Sequence, residues 1–310
     1  MDSVFETHLA SFLAGENSIR VRKNVPISML TSIGIGGDAA FVLSPRDSGS
    51  FIRLLDFLSG SGARFRVIGK GTNLIGPDAG FDGVLVLTES VDRVSVFGTS
   101  LHVGAGVPLS RAIRCAKDAG LSGLENLYGI PGTVGGALYM NAGAFGSAVS
   151  DRLCHATVYH PESREITVKS VSELAFGYRS SAIAKDGTVV LSAAFTLTRK
   201  DPDEIAETMN AVLQKRKESQ PLDYPSAGCV FRRPFPDSPV GPMILDAGMA
   251  GVTVGAAQVS TRHAGFIVNL GGATEGDVRK LVEKVRDAVK TKNKIELTDE
   301  IEFLADLGTY

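Results

Sequence analysis

The chain has little cysteine, no clustered positive charge and no long apolar run, and each shortage removes a class of protein. Its three cysteines, Cys115, Cys154 and Cys229, form no CxxC pair and leave an odd number. A disulfide framework is therefore not expected, and a reducing cytoplasm is. Cys115 falls on the apolar face of a helix, and both it and Cys154 read as core residues. The formal net charge is −2 with no basic tract, which argues against a nucleic-acid scaffold, whose affinity rests on clustered Lys and Arg. No stretch of about 18 apolar residues occurs, so no membrane span is expected. The opening MDSVFETHLASFLAGENSIR carries acids early and is no signal peptide. The five histidines lack metal-ligand spacing, so no metal is implied. A G-x-S-x-G elbow is missing, and Ser110 or Ser226 as a hydrolytic nucleophile lacks a recognisable partner.

What the chain does have is glycine, 35 residues of it, gathered in loops. Glycine in loops marks tight turns or backbone that approaches a ligand closely. A length of 310 residues, 44% hydrophobic and 21% charged, allows two or three packed units around a small-molecule site. Val4, Phe5, Leu9, Phe12 and Leu13 have helical spacing. Strands are expected at Ala39 to Leu43, Phe65 to Ile68, Val84 to Leu87, 94–103, 155–168 and 188–198, with a helix after Asp47 and another near Pro108. Residues 120–150 show no clean period. Asp201-Pro202 supplies an N-cap and an N1 proline, and the main boundary is placed there. Thr274 and Asp277 stand at capping-box spacing before a helix to about Lys292. A strand-like tail, Ile295 to Leu304, closes the chain. Paired strands and separate helices fit an α+β fold better than a regular βαβ series.

Gly69-Lys70-Gly71-Thr72-Asn73-Leu74 follows a strand, and Glu89 stands 20 residues beyond Gly69, which invites a Rossmann reading. Gly76, Pro77, Gly80 and Gly83 leave no room for the helix such a fingerprint needs. No GK[ST] follows a four-residue gap, so a P-loop is excluded too. What remains is a short loop suited to cradling a pyrophosphate, with Thr72 and Asn73 as polar groups. The second loop runs Gly129-Ile130-Pro131-Gly132-Thr133-Val134-Gly135-Gly136, followed by Asn141-Ala142-Gly143-Ala144. Backbone this bare is costly in conformational entropy. A flat or extended ligand pressed on the main chain accounts for it, with Thr133 and Asn141 as contacts.

The segments GKGTNLI at 69–75, GIPGTVGGALYMNAGAFG at 129–146, FGYRSS at 176–181 and PSAGCVFRRP at 225–234 occur in one order with GAAQVSTRHAGFIVN at 255–269 and IELTDEIEFL at 295–304. Together they resemble the UDP-N-acetylenolpyruvoylglucosamine reductase family over roughly residues 25–304. The resemblance implies a two-part FAD-binding domain of the vanillyl-alcohol-oxidase type, residues 1–86 and 87–200. It further implies an α+β substrate-binding domain, 201–310, whose tail 295–310 returns to the active site. NADPH would reduce a non-covalent FAD, and hydride would pass to the enolpyruvyl group of a UDP-linked sugar. About ten residues separate Ser180 from the strand at Val189, which resembles the family type lacking an extra tyrosine-bearing loop.

The resemblance assigns Arg179 to bind the enolpyruvyl carboxylate, Glu300 to donate a hydrogen bond from a raised carboxyl, and Cys229 to protonate the product. An arginine fork suits a carboxylate, and a carboxylic acid held neutral suits an enolate-like charge. It implies cofactor contacts at Gly69, Lys70, Gly71, Thr72, Asn73, Leu74, Gly132, Thr133, Gly136, Asn141 and Gly143, and substrate contacts at Tyr178, Ser226, Arg232 and Gln258. Two positions depart from the pattern: Cys229 stands where the family has serine, and Arg233 where it has asparagine. A thiol, with a reference pKa of about 8.5, is a plausible acid whose expected liability is oxidation or alkylation. His263 reads as a hydrogen-bonding histidine. Lys215, Arg216 and Lys217 either meet UDP phosphates or complement a helix dipole. A monomer is favoured. Two other readings stay open: a related FAD oxidase that uses oxygen, and a flavin- or nucleotide-binding module without turnover.

Overall fold

The computed structural model describes residues 3–236, 238–308 and 310. The spacing at the N-terminus produces the helix Ser3–Ala14. After it the chain builds a four-stranded sheet in the order Ile19–Pro26, Asp38–Pro45, Phe81–Leu87, Phe65–Ile68. The first pair is antiparallel and the other two pairings are parallel. Asp47 caps the helix Ser48–Ser61 by accepting from the Ser50 amide, and Gly62 ends it in the left-handed region. That helix buries Phe51, Leu54, Leu55 and Leu58 beneath the sheet. Between Ile68 and Phe81 the only regular element among the described residues is the two-residue strand Leu74–Ile75. The absence of a helix there agrees with the sequence argument against a dinucleotide fingerprint.

The second sheet is antiparallel throughout: Glu165–Ser170, Leu153–His160, Val189–Thr196, Ser100–Gly104, Val94–Phe97. One apolar core joins it to the first sheet, running from Leu9 and Phe65 to Leu101, Tyr159 and Phe195. Cys154 is a correction: it is exposed, and Cys115 only half-buried. Alternation decides this, because Leu153 faces inward and its neighbour on the strand must face out. Residues 120–150 also differ from a featureless loop, since they contain the helix Val134–Tyr139. Thr133 caps it by accepting from the Gly136 amide. A side chain at Gly135 would lie 3.0 Å from the Ala105 Cβ. Close packing therefore favours glycine where a helical period would show an apolar residue.

The helices Pro202–Ser219 and Glu275–Asn293 begin at Asp201 and Thr274, with the expected caps. A third antiparallel sheet, Ser226–Cys229, Phe266–Asn269, Ala257–Val259, Thr253–Val254, packs under Glu275–Asn293 with its own core. The tail is less regular than a continuous strand. Glu300 N donates to Val230 O, then Glu302 N to Asn73 O and Leu304 N to Ile75 O. Only Glu302–Phe303 pairs as a strand, in parallel with Leu74–Ile75. The tail thus leaves the third sheet and is sewn onto the first glycine loop.

Candidate active site

The two glycine loops face each other. A Cβ at Gly69 would come within 2.5 Å of Thr133 Oγ1, and one at Gly132 within 3.1 Å of Thr72 Oγ1. Thr72 Oγ1 donates to Pro131 O at 3.4 Å. Gly71, at φ +59°, fits beside Leu30 O where a Cβ would lie 2.1 Å away. Gly69, Lys70, Gly71, Thr72, Asn73, Leu74, Gly132, Thr133, Gly136 and Gly143 all line one cavity of about 790 Å³. Asn73 spends its amide on the carbonyl of Glu300, at 3.0 Å. The first loop and the tail are therefore fixed to one another through side chain and backbone alike.

Arg179 sits at the tip of a tight turn in which Gly177 and Ser180 exchange backbone hydrogen bonds. Its φ of +51° is unusual for arginine, and strain of that kind persists only where surrounding structure holds it. Asn141 supplies part of that hold: its amide donates to Gly177 O at 2.9 Å, and its oxygen accepts from Ser150 N. Asn141 lies behind the cavity wall as a support for the arginine turn. Ser181, fully buried, donates to Tyr139 O and caps the next short helix. From this turn Arg179 Nε donates to Glu300 Oε1 at 2.6 Å and Nη2 to Gly143 O at 3.0 Å. The guanidinium lies 5.2 Å from the Tyr178 ring centre.

Glu300 is held above the ordinary carboxylate range because burial outweighs the nearby Arg179, Arg232 and Arg233. Cys229 ends the strand Ser226–Cys229, just after Gly228 at φ +84°. Burial pushes its thiol up to about 11, and the Glu300 carboxyl adds to the rise. The Sγ donates to Phe231 O at 3.4 Å. Close by, His263 has its Nδ1 occupied by the Gly265 amide, and burial lowers its pKa. The imidazole is thus neutral and serves the loop it belongs to.

Three buried polar atoms on cavity-lining residues lack a hydrogen-bond partner: Arg66 Nε, Thr88 Oγ1 and Arg216 Nη2. Arg216 is only 7% exposed. Its Nε donates to Tyr128 O, its charge rests 5.3 Å from the Phe145 ring centre, and burial followed by Arg179 depresses its pKa. Buried donors left open are costly, and an anionic or polar ligand bound there would satisfy them. Of the helix-end cations, Arg216 faces the cavity as wall and not as a solvated terminus. Sequence reasoning missed Arg66, Tyr139, Glu302 and Tyr310, which also line it. Tyr139 and Glu302 lie inside the segments 129–146 and 295–304, but no motif marks Arg66 or Tyr310, and only the returning tail unites the four.

Ser226 and Tyr178 reach the cavity, and Tyr178 continues into a second depression of about 490 Å³ with Arg232, Arg233 and Lys294. Gln258 does not reach it. Its amide donates to Gly251 O at 3.3 Å on the far strands of the third sheet. No helix among the described residues is long and apolar enough to cross a membrane, and no group of three or more metal-ligating side chains occurs among them.

Comparison with known proteins agrees with this layout. The profile of an FAD binding domain matches residues 39–169, and that of the UDP-N-acetylenolpyruvoylglucosamine reductase C-terminal domain matches residues 220–304. A reductase of that name from Fervidobacterium nodosum is 40% identical over 270 residues, covering 87% of each chain. One from Thermotoga sp. (strain RQ2) is 39% identical over 303 residues, covering 98% of each. The crystal structure of UDP-N-acetylenolpyruvylglucosamine reductase from Thermus caldophilus superposes with a TM-score of 0.79 at 34% identity, covering 92% of this chain and 99% of that one. On these grounds the chain belongs to the UDP-N-acetylenolpyruvoylglucosamine reductase family.

Proposed function

We propose that Arg179, Glu300 and Cys229 carry out the reduction for which this family is named. The protein is an FAD-dependent oxidoreductase. It reduces the enolpyruvyl group of UDP-N-acetylenolpyruvoylglucosamine to give UDP-N-acetylmuramate, with NADPH as hydride donor, in peptidoglycan precursor synthesis. The cavity suits FAD: its walls are bare backbone at the two glycine loops, and it presents unpaired buried donors. Bound FAD supplies the hydride that reaches the terminal enolpyruvyl carbon.

The observation that carries the assignment is the convergence of three distant segments. Arg179 and Glu300 are in contact at 2.6 Å, and the Cys229 thiol is near enough to feel both charges. Arg179 binds the substrate carboxylate, on which negative charge grows as hydride adds to the far carbon. Glu300, kept protonated more readily by burial, donates a hydrogen bond to the same carboxylate. Cys229 then gives its proton to the carbon next to the carboxylate, and the thiolate left behind recovers a proton from solvent. Ser226 and Tyr178 line the path of the sugar, and Arg232 and Arg233 offer positive charge to the diphosphate in the adjoining depression.

The test separates the two half-reactions by stopped flow. Cys229→Ala should leave reduction of bound flavin by NADPH intact and slow its reoxidation by substrate by about 10²–10⁴-fold, the usual worth of a general acid. Cys229→Ser should restore most of the loss. Reoxidation at the wild-type rate in Cys229→Ala would remove the thiol from the mechanism.

A further inference from the structure

One corner of the cavity takes no part in the chemistry above. Arg66 lies on the strand Phe65–Ile68, three residues before Gly69. It is 9% exposed, and its Nε is buried without a partner. Its guanidinium sits 5.0 Å from the centre of the Tyr310 ring. Tyr310 in turn packs on Phe65, with ring centres 5.1 Å apart, and its backbone N–H donates to Phe65 O. Gly187 lies against the ring, where a Cβ would be in ordinary contact with it at 3.5 Å. Across the corner stands Glu302, half-buried and facing both the Tyr139 hydroxyl and Arg66. Arg66, Tyr139, Glu302 and Tyr310 all line the cavity.

The corner has the chemistry of a nucleotide clamp. Arg66 presents an unsatisfied cationic donor, and Glu302 an acceptor. Val67, Ile183, Val189 and Val190 form an apolar wall beside them. An apolar slot with a few convergent polar groups suits a planar heteroaromatic ring linked to phosphate. Its location selects among nucleotides. Arg66 is continuous with the Gly69–Asn73 loop, and Glu302 N bonds to Asn73 O. NADPH and the UDP-sugar must enter and leave at each turnover, whereas a resident cofactor is better served by a closed inner wall.

We propose that Arg66, Glu302 and Tyr310 clamp the FAD, and that the returning tail acts as a latch whose seating of Tyr310 on Phe65 sets how long the cofactor stays bound. This rests on the FAD reading above. The latch is a positioning device and touches no reacting atom.

The experiment follows flavin fluorescence after dilution of the FAD-loaded enzyme and of its Tyr310→Ala, Tyr310→Phe and Arg66→Met variants. Loss of the ring or of the guanidinium should speed FAD release by about tenfold, the equivalent of one charge-assisted contact. Tyr310→Phe keeps the ring and should release FAD within about twofold of wild type. Thermal unfolding of the FAD-free variants identifies any that fold poorly, and Tyr310→Phe against Tyr310→Ala gives the comparison least exposed to that fault. FAD release unchanged in both Tyr310→Ala and Arg66→Met would overturn the clamp. So would a raised KM for NADPH with unaltered FAD release, because that places the transient nucleotide there. Failure of the wild-type protein to hold FAD would instead strike at the reading beneath.

Discussion

At the residue scale the decisive difference from the family pattern is a sulfur atom. Read from sequence, Cys229 is an acid with a liability, because a thiol near its reference pKa is partly thiolate at neutral pH. Its surroundings reverse that expectation: burial and the Glu300 carboxyl push it up to about 11. Thiolate, the form that reacts, is thereby reduced by roughly two to three orders of magnitude relative to a free cysteine. The same shift keeps the proton on sulfur until a stronger base, the substrate carbanion, takes it. Cys154 is exposed. Iodoacetamide at neutral pH should therefore label Cys154 first, with activity retained, and label Cys229 far more slowly with activity lost in parallel. Mass spectrometry of partly labelled protein checks the order. Rapid labelling of Cys229 with immediate inactivation would show that the site is open and the thiol ionised.

At the scale of elements, the structure shows what pattern reasoning reads well and where it stops. The helices after Asp47, Asp201 and Thr274 were legible because capping is local: one side chain bonds an amide two or three residues on. The helix Val134–Tyr139 was not, because tight packing against Ala105 favours glycine where a period would place an apolar residue. The short strand Ser226–Cys229 and the helix Val240–Asp246 also escaped notice. The tail was read as a strand, yet most of it bonds by turns to Val230, Asn73 and Ile75; long-range pairing leaves no local period. Glycine positions yield a sharper expectation. Gly71 combines φ +59° with a position where a Cβ would lie 2.1 Å from Leu30 O. Gly71→Ala should lower stability by about 2 kcal/mol and weaken FAD binding together. Urea unfolding and flavin titration measure the two effects. An unchanged protein would mean the loop adapts and its glycine is incidental.

Taken whole, the molecule places its site where three segments meet, each pinned by a different force. The glycine loops come from the part whose two sheets share one core. Cys229 comes from the third sheet. Glu300 and Glu302 arrive on the tail that ties the two together. Both carboxyls are raised by burial, and the sign of the consequence is fixed. An acid whose folded pKa exceeds its unfolded value adds stability below the unfolded pKa and loses it as pH rises through the folded pKa. In the FAD-free protein, Glu302→Gln should therefore unfold at a higher temperature than wild type near neutral pH, and the advantage should shrink as pH falls through the raised folded pKa and be gone below the ordinary glutamate value. An advantage that grows on acidification would mean that Arg66 and Tyr139 more than offset the burial. The sequence motifs were enough to bring Arg179, Cys229 and Glu300 together on paper. The Arg66 corner was not legible, since Arg66 and Tyr310 carry no motif and meet Glu302 and Tyr139 only through the tail. Asn141 and Gln258 show the converse: a residue inside a recognisable segment can serve the scaffold instead of the cavity.

One assay tests the reaction itself. NADPH consumption by the FAD-saturated protein should be negligible alone and should start on addition of UDP-N-acetylenolpyruvoylglucosamine. Each NADPH consumed should then appear as one UDP-N-acetylmuramate. NADPH oxidation indifferent to that substrate, with oxygen consumed in its place, would contradict the account and leave an oxidase on the same flavin-binding fold.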